Sequence, residues 1–361
     1  MKAVVATDVD KYSVEEVILD GPKAGEVKVK IGACGVCHSD LSVINGKLPL
    51  PKPIVLGHEG AGVIEELGEG VTGYEVGDHV VLSFVPTCGD CPSCKRLEPQ
   101  FCSAGEPNGM MIDGTSRVKL GDTNIGVMQF LGCMAEYAVV PAISMVKIDK
   151  SIPLEKAALV GCGVMTGVGA ALNSAKVTPG SRVAVFGCGG IGLSIIQGAR
   201  LAGAAQIIAI DVADNKLEMA KKFGATHTVN GGDGMSVLKC KELTDGEGAD
   251  FTFEAVGIPS LMMDANNAAR RGGVVCIVGV GSLMETMNLN ALLVSMEGKS
   301  VKGSFYGDAN VRHDFPMLLD LYQSGKLNLD DMVSNTYSID EAGQAIEDLK
   351  SGKNARGVIV F

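Results

Sequence analysis

The sequence predicts an α/β fold, with a β-rich first third followed by a doubly wound parallel sheet. The chain has 361 residues, more than one average domain, so we expect two. Short apolar runs alternate with helical patterns after Thr166, up to about residue 305, as in a parallel sheet covered by helices. Before about residue 155, apolar and polar residues alternate between glycine-rich turns, and no long helical pattern occurs.

The predicted elements follow from periodicity. Apolar residues alternate with lysines from Val27 to Ile31, as in a half-buried strand. Short apolar runs bounded by turn residues predict further strands at 61–64, 79–82, 182–186, 206–210, 251–256, 274–280 and 357–361. Helical spacing predicts helices at 191–202, 216–223, 315–323 and 341–349.

Composition excludes several classes of protein. Hydrophobic residues make up 46% and charged residues 20%, as in globular proteins, and the net charge of −11 argues against a nucleic-acid-binding protein. No run of eighteen apolar residues predicts a membrane span, and Asp8 comes too early for the apolar core of a signal peptide. The eleven cysteines, an odd number, favour metal ligation over disulfides. We therefore expect a cytoplasmic protein.

Four cysteines lie within fifteen residues and are the strongest metal signal in the chain. Two overlapping Cys-x-x-Cys turns can direct their sulfurs to one tetrahedral Zn²⁺, and four thiolates leave no open position. The expected zinc is therefore structural; unliganded thiols or an iron–sulfur site are the alternatives. The four predicted ligands are Cys88, Cys91, Cys94 and Cys102.

Cys37, His58 and Cys162 form a second, scattered set of soft ligands. Each of these residues alone is weak evidence for a metal site, because an isolated cysteine or histidine is usually a buried structural residue. Together, two thiolates and one imidazole would give Zn²⁺ three protein ligands and leave the fourth position open. The glycine-rich turn described next strengthens this interpretation.

A glycine-rich turn follows the predicted strand 182–186 and opens a predicted helix. Gly187 permits the tight turn, Gly189 lets the backbone approach a pyrophosphate, and Gly192 allows close packing of helix on strand. The helix N-terminus adds partial positive charge. The candidate cofactor-binding residues in the turn are Gly187, Gly189, Gly190, Ile191 and Gly192.

Asp211 predicts the choice of dinucleotide. It ends the next predicted strand, nineteen residues after Gly192. A carboxylate there can bind both hydroxyls of the adenosine ribose and would repel a 2′-phosphate. The sequence therefore predicts NAD in preference to NADP.

These motifs resemble those of the zinc-dependent medium-chain alcohol dehydrogenases, and the resemblance covers nearly the whole chain. The family fold implies a Rossmann NAD-binding domain, residues 164–305, inserted in a GroES-like β-rich catalytic domain formed by residues 1–163 and 306–361. The cleft between the domains would hold zinc and nicotinamide. The motifs that carry the resemblance are Cys37-His38-Ser39-Asp40, Gly57-His58-Glu59, the four-cysteine segment, Gly161-Cys162-Gly163 and the glycine-rich turn.

The resemblance also implies catalytic roles. Ser39 would accept the proton of the alcohol while hydride passes to nicotinamide. Glu59 matches an acid that approaches the metal when a ligand exchanges, and Asp40 matches the carboxylate that orients His58. Without the family, Glu59 is read as a solvated acid and Asp40 as a turn residue. The implied ligands of the catalytic zinc are Cys37, His58 and Cys162.

Five further residues match cofactor positions of the family. His38 and Arg356 match cations that bind the pyrophosphate. Thr166 and Val280 match positions beside the nicotinamide. Lys216 matches a contact to the ribose or adenine, with a solvated helix lysine as the alternative.

The expected substrate pocket is apolar and suits a primary aliphatic or aromatic alcohol. Relatives that oxidise the glutathione adduct of formaldehyde have an acid where Leu48 stands and a base where Glu106 stands, and both differences argue against that substrate. The residues that match pocket positions are Leu48, Phe84, Phe130 and Leu131.

The chain departs from many relatives in the expected proton path. Those relatives have a histidine three residues after the hydroxyl residue, which passes the proton to solvent. Here that position is Ser42. The proton would leave through Ser42 and water, or by another route.

Three functions remain open at this stage. A dehydrogenase that uses diffusible NAD is the leading hypothesis. A nicotinoprotein would hold NAD permanently, and a non-catalytic zinc or dinucleotide sensor would keep the fold without the activity. The connection Asp113–Arg117 is longer, as in the dimeric branch of the family, so we expect a homodimer paired near 284–304, with a small alcohol or aldehyde as the other partner.

Overall fold

The computed structural model describes residues 1–105 and 107–361, which form two compact units. The β-rich unit combines Met1–Cys162 with Asn310–Phe361, and the parallel-sheet unit comprises Gly163–Ala309. The predicted domain boundaries lie within four residues of these limits.

Two observed strands, β7 and β12, span the same residues as the strands predicted at 79–82 and 182–186. The other predicted strands overlap observed ones, with ends shifted by a few residues. In chain order the strands are β1 (Lys2–Asp8), β2 (Lys11–Glu16), β3 (Ile18–Leu19), β4 (Glu26–Val36), β5 (Ile54–Val55), β6 (Glu59–Leu67), β7 (His79–Leu82), β8 (Val118–Leu120), β9 (Thr123–Val127), β10 (Tyr137–Pro141), β11 (Met145–Ile148), β12 (Arg182–Phe186), β13 (Gln206–Asp211), β14 (His227–Asn230), β15 (Ala249–Glu254), β16 (Ala269–Ile277), β17 (Ser300–Gly303), β18 (Val333–Tyr337) and β19 (Arg356–Val360).

The helices of the β-rich unit are mostly short, which is why periodicity did not reveal those near the N-terminus. A helix of seven residues makes only about two turns and shows no repeated apolar stripe. In chain order the helices are α1 (His38–Ile44), α2 (Pro92–Lys95), α3 (Leu154–Leu159), α4 (Met165–Gly169), α5 (Gly190–Leu201), α6 (Asp214–Phe223), α7 (Ser236–Leu243), α8 (Pro259–Ala268), α9 (Ala291–Glu297), α10 (Val311–Gln323) and α11 (Ala342–Lys350). Two π-helical turns, Val160–Val164 and Ala170–Ser174, follow α3 and α4.

The β-rich unit contains two sheets. One has the order β2-β1-β5-β9-β8-β3, and the other has the order β11-β7-β6-β4-β19-β18, with β10 also pairing β4. Val27, Val29 and Ile31 are buried in the core, as the alternation in the sequence predicted. Strand β4 is central in its sheet because it pairs with β6, β10 and β19, and its last residue, Val36, leads directly into the segment that carries Cys37.

The parallel-sheet unit has the doubly wound topology that the sequence predicted. Its strand order is β14-β13-β12-β15-β16-β17, and every neighbouring pair is parallel. In such a sheet a ligand binds at the carboxyl ends of the strands, near the change in winding direction, which here lies between β12 and β15. The topology therefore positions the glycine-rich turn and Asp211 at the same edge of the sheet.

One run of helix, Leu154–Ser174, is long and apolar enough by length and composition to cross a membrane. However, 89% of its eighteen-residue apolar stretch is buried inside the structure. Such burial is typical of a core helix in a globular protein.

Candidate active site

Asp40 organises the two segments that carry Cys37 and His58. Its carboxylate is fully buried, and its Oδ2 accepts the N–H of Cys37 at 2.9 Å, which caps the start of α1. Its Oδ1 accepts the N–H of Gly57 at 3.1 Å and lies 3.3 Å from Nδ1 of His58. A proton on Nδ1 therefore points to Asp40, which leaves Nε2 as a free donor atom for a metal.

The scattered soft ligands converge in the β-rich unit. One ligand atom each from Cys37, His58, Glu59 and Cys162 lies within 4.8 Å of the others, and all four residues are buried. Cys162 lies in the π-helical turn Val160–Val164; such turns are rare and are frequent at functional sites. The four ligand atoms are therefore close enough together to bind one metal ion, although most of the residues are far apart in sequence.

The donor set fits a zinc ion. His58 Nε2 is buried and has no hydrogen-bond partner among the described residues. Burial lowers the pKa of His58, but Asp40 and Cys37 outweigh it and raise the pKa well above its usual value, so a zinc ion bound at Nε2 would displace a proton. A hydrogen bond from Cys162 holds the pKa of Cys37 well below its usual value and raises that of Cys162. Two sulfurs and an unpartnered imidazole nitrogen are the ligands that zinc prefers in sites with an open position.

Glu59 and Arg356 form a buried ion pair beside these ligands, from β6 and β19. Burial raises the pKa of Glu59 to about 7, although Arg356 opposes the rise. Glu59 Oε1 and Arg356 Nε lack a hydrogen-bond partner within the described part of the chain. Sequence reasoning missed this pairing, because 297 positions separate the residues and no local pattern joins them. The pyrophosphate contact expected of Arg356 stays a prediction.

Ser39 lies beside the ligand cluster. Its Oγ lies 3.8 Å from Cys37 Sγ, within hydrogen-bond distance of the sulfur, and the residue is half-buried. His38, at the start of the same helix, is exposed. Ser39 and Ser42 are three residues apart on α1 and therefore share a face of the helix.

The predicted pocket residues fall into two groups. Leu48 and Phe84 are half-buried against the core, and the ring of Phe84 makes an edge contact with His58 at 5.8 Å between centroids. Phe130 and Leu131 are almost fully buried in the β-rich unit, and their lining of a pocket stays a prediction. Glu106, which entered the argument about substrate, lies outside the described residues.

The four-cysteine segment forms a second cluster, with the four sulfurs within 4.8 Å of one another. Backbone N–H groups point at the sulfurs: Cys91 N–H to Cys88 Sγ at 3.3 Å and Cys94 N–H to Cys91 Sγ at 3.5 Å. The bond from Cys94 N–H is the main cause that lowers the pKa of Cys91 to about 5. Burial instead raises the pKa of Cys94 to about 12 and also raises that of Cys102. A metal ion held by all four sulfurs would bind them as thiolates and displace these protons.

The remaining five cysteines lie outside both clusters and are all buried: Cys34, Cys133, Cys188, Cys240 and Cys276. None of the eleven cysteines forms a disulfide. This agrees with the expectation of metal ligation rather than a disulfide framework.

The glycine-rich turn has the geometry of a phosphate-binding turn. Gly187 has φ +94°, and a Cβ there would collide with Val256; a Cβ on Gly192 would collide with the carbonyl of Gly187. A Cβ on Gly189, by contrast, would meet nothing within 4 Å, which is the open space that a pyrophosphate needs. No side chain caps the start of α5, so its N-terminal N–H groups remain available.

Asp211 is held firmly at the end of β13. Its carboxylate accepts the N–H of Cys188 at 2.8 Å and that of Ala213 at 3.0 Å. In the same unit Lys216 is half-buried, Thr166 is buried on α4, and Val280 is 82% exposed. The contacts of these three residues with a cofactor stay predictions.

Comparison with known proteins identifies the family. The model for an alcohol dehydrogenase GroES-like domain matches residues 23–150, and that for a zinc-binding dehydrogenase matches residues 190–324. The NDMA-dependent alcohol dehydrogenase of Amycolatopsis methanolica is 43% identical, over 99% of this chain and 98% of that protein. The chain belongs to the zinc-dependent medium-chain alcohol dehydrogenases. It is accordingly an alcohol oxidoreductase that uses zinc and a nicotinamide dinucleotide.

Solved structures of this dehydrogenase family agree with the fold. Benzyl alcohol dehydrogenase from Acinetobacter calcoaceticus superposes with a TM-score of 0.94 at 35% identity, over 100% of this chain and 99% of that one. A zinc-binding dehydrogenase from Sinorhizobium meliloti, bound to NADP, has a TM-score of 0.83 at 27% identity, over 100% and 99% of the chains.

Proposed function

We propose that this alcohol dehydrogenase reversibly oxidises a primary alcohol with an apolar chain or ring, using NAD and two zinc ions per chain. A secondary alcohol, oxidised to a ketone, is the alternative substrate. The convergence of Cys37, His58 and Cys162 around one point, with Ser39 beside them, carries the proposal. Leu48 and the edge contact of Phe84 with His58 support an apolar substrate.

The residues of the site divide the chemistry between them. Zinc, when bound by Cys37, His58 and Cys162, supplies a Lewis acid. NAD, when bound, accepts the hydride. Ser39 Oγ takes the proton of the alcohol hydroxyl and passes it toward solvent along the face of α1 that carries Ser42. Asp40 holds His58 in the tautomer that leaves Nε2 available.

The preference for NAD rests on Asp211. Its carboxylate is held by two backbone N–H groups at the end of β13, so it cannot turn away easily from a ligand there. A negative charge in that position favours ribose hydroxyls and repels a 2′-phosphate. Because the similar dehydrogenase from Sinorhizobium meliloti was solved with NADP bound, activity with NAD and activity with NADP must both be measured.

The decisive experiment is an alcohol panel with NAD and NADP on protein of measured zinc content. Ethanol, benzyl alcohol and a secondary alcohol should be compared by kcat/KM. We expect benzyl alcohol with NAD to give the highest value. Equal or greater activity with NADP would contradict the assignment of Asp211, and activity confined to polar alcohols would contradict the apolar pocket.

A nicotinoprotein is the second candidate, favoured by the 43% identity to a relative whose name states dependence on NDMA. Absorbance of the purified protein separates the two. Bound dinucleotide that survives gel filtration, with alcohol-dependent reduction of NDMA and no need for added NAD, would favour the nicotinoprotein. A preparation free of cofactor that turns over added NAD would exclude it.

A homodimer paired along β17 is also proposed. The four residues of this edge strand are exposed, and α9 beside it in the chain has no buried residue. Leu292 is 66% exposed and Met296 59%, and apolar surface of this extent on an open sheet edge usually marks an interface. Light scattering should give a dimer mass, which Val301→Lys should reduce and Val76→Lys, on exposed surface of the β-rich unit, should not.

We further propose a reducing, cytoplasmic location. All eleven cysteines are free thiols, and the two cysteine clusters require reduced sulfur to bind metal. Fractionation of cells that produce the tagged protein tests this proposal.

A further inference from the structure

Glu254, the last residue of β15, is a buried carboxylate at the carboxyl end of the parallel sheet. It has no role in the chemistry described above, yet its side chain is fully buried. Its Oε1 accepts backbone N–H groups from Val256 at 2.9 Å, Gly257 at 2.7 Å and Ile258 at 3.4 Å. One carboxylate therefore holds residues 256–258, which we call the α8 turn because they precede α8.

The main chain of Glu254 holds a second segment. Its carbonyl accepts the N–H groups of Val278 at 2.9 Å and Gly279 at 3.0 Å. These residues belong to 278–280, the β16 end segment, which follows β16. Glu254 thus binds the α8 turn through its side chain and the β16 end segment through its backbone.

The two segments touch so closely that glycine is required on both sides. A Cβ on Gly279 would lie 2.6 Å from Glu254 Oε2 and would also collide with the backbone of Gly257. Gly257 has φ +90°, and a Cβ there would collide with the carbonyl of Val280. Any displacement of the α8 turn is therefore transmitted to Val280.

Both segments adjoin the expected dinucleotide site. The side chain of Val256 lies against Gly187 of the glycine-rich turn. Val280 is 82% exposed and is the residue expected beside the nicotinamide. Ligands of doubly wound sheets bind at the carboxyl ends of the strands, where Glu254 and both segments lie.

Burying the Glu254 carboxylate costs free energy of folding, because one of its oxygens has no partner among the described residues. Glu254 Oε2 is buried and has no hydrogen-bond partner among residues 1–105 and 107–361. Burial raises the pKa of Glu254, against the opposing effect of the three N–H groups. Buried acceptors are nearly always satisfied, so an exception next to a binding site indicates a functional constraint.

We propose that Glu254 is a positioning residue for the nicotinamide end of the dinucleotide site, an inference that rests on the proposed use of NAD. It acts by holding the α8 turn against the β16 end segment, so that Val280 presents a fixed surface to the nicotinamide. The adenosine end depends on Asp211, which Glu254 does not contact.

The test compares NAD with ADP-ribose, which lacks the nicotinamide, by calorimetry on the full-length zinc-loaded protein. Glu254→Ala leaves three N–H groups without their acceptor, among them the buried one of Gly257, and we expect it to weaken NAD about tenfold more than ADP-ribose. Glu254→Gln keeps an accepting oxygen and should stay within about threefold of the wild type for both ligands. Hydride transfer should slow in Glu254→Ala, with a larger primary deuterium isotope effect.

Asp250→Asn is the matched control. Asp250 lies on the same strand at its amino end, accepts the N–H of Arg182 at 2.8 Å and pairs with Arg270. This variant should lower the melting temperature without changing the ratio of NAD to ADP-ribose affinity. If it changed that ratio as Glu254→Ala does, the effect would be one of general stability and the proposal would be overturned.

Gly279→Ala gives an independent variant should Glu254→Ala fold poorly. The added Cβ pushes the β16 end segment away while Glu254 remains, so the same selective loss of NAD affinity is expected. Three results would overturn the role of Glu254 while leaving the proposed function intact. They are equal losses of affinity for both ligands, no loss in either Glu254→Ala or Gly279→Ala, and a loss in Glu254→Gln as large as in Glu254→Ala. A wild-type protein that binds neither ligand would overturn the proposed function together with it.

Discussion

Asp40 determines which nitrogen of His58 faces the cysteine sulfurs. Its carboxylate is near Nδ1 and also accepts the N–H groups of Cys37 and Gly57, so it orients both ligand-bearing segments. Removing a carboxylate that orients a metal-binding histidine usually lowers metal affinity about 10–100-fold. Asp40 should therefore contribute strongly to zinc affinity although it is not itself a ligand.

We accordingly expect Asp40→Ala to lower zinc affinity about 10–100-fold at the site of Cys37. Competition with a coloured chelator measures the affinity. Ser39→Ala, one position away on the same helix, is the control and should retain zinc. Unchanged affinity in Asp40→Ala would show that Cys37 and His58 are oriented without it.

Ser39 is the hydroxyl expected to start proton removal. Ser39→Ala should lower kcat by about 10²–10⁴-fold, the usual worth of a general acid–base group, with NAD affinity unchanged. Ser39→Thr keeps the hydroxyl and should remain active. Near wild-type kcat in Ser39→Ala, with a primary deuterium isotope effect indicating that hydride transfer is rate-limiting, would mean that the proton leaves by another route.

At the scale of elements, the two cysteine clusters should respond differently to the loss of one ligand. The lobe that carries Cys91 consists mainly of short helices and turns whose shape depends on the sulfurs meeting at one point. Cys162, in contrast, lies on a turn of a long buried helix that is held by packing.

The wild type should hold about two zinc ions per chain, and Cys91→Ser and Cys162→Ser about one each. Cys91→Ser should lower the melting temperature, while Cys162→Ser should abolish most activity and change the melting temperature little. Metal analysis and calorimetry measure both effects. Equal loss of stability with activity retained in Cys162→Ser would contradict the division into a structural and a catalytic site.

The ends of some strands could be predicted from the sequence pattern and those of others could not. Strands β7 and β12 match their predicted residues because apolar runs bounded by turn residues mark both ends. Strand β16 begins at Ala269, five residues before the predicted start, because Arg270, Gly272 and Gly273 interrupt the apolar pattern. Ala269 belongs to the strand because it pairs with Ala249 of β15, although the local sequence shows no strand pattern there.

At the scale of the whole molecule, an ion-pair network centred on the buried Arg117 ties the connection after the four-cysteine segment to strand β4. Arg117 is 1% exposed and pairs with Glu26 of β4 at 2.5 Å and with Asp113 at 2.8 Å. Burial opposes the ionisation of Asp113, but Arg117, Lys23 and Thr115 hold its pKa well below its usual range. Breaking a buried pair leaves an uncompensated charge and costs about 3–5 kcal/mol.

Arg117→Met should therefore lower the free energy of unfolding by about 3–5 kcal/mol. Arg96→Met removes an exposed pair with Glu98 and should cost about 0–1 kcal/mol. Because the pKa of Asp113 is depressed in the folded state, its contribution is present above the unfolded pKa of about 4 and is lost as the pH falls below it. Urea titrations at several pH values should show a weaker acid dependence in Arg117→Met; equal costs for both variants would contradict the role of the buried pair.

The sequence by itself determined the family, the parallel sheet and the two sets of soft ligands. These depend on residue type, short spacing and periodicity, which are properties of neighbouring residues. Only the tertiary structure decided that Arg356 pairs with Glu59 and that Glu254 joins the ends of two strands. Such contacts unite residues that are distant in the chain or that have no distinctive local pattern, so they exist only once the sheets have formed and buried them.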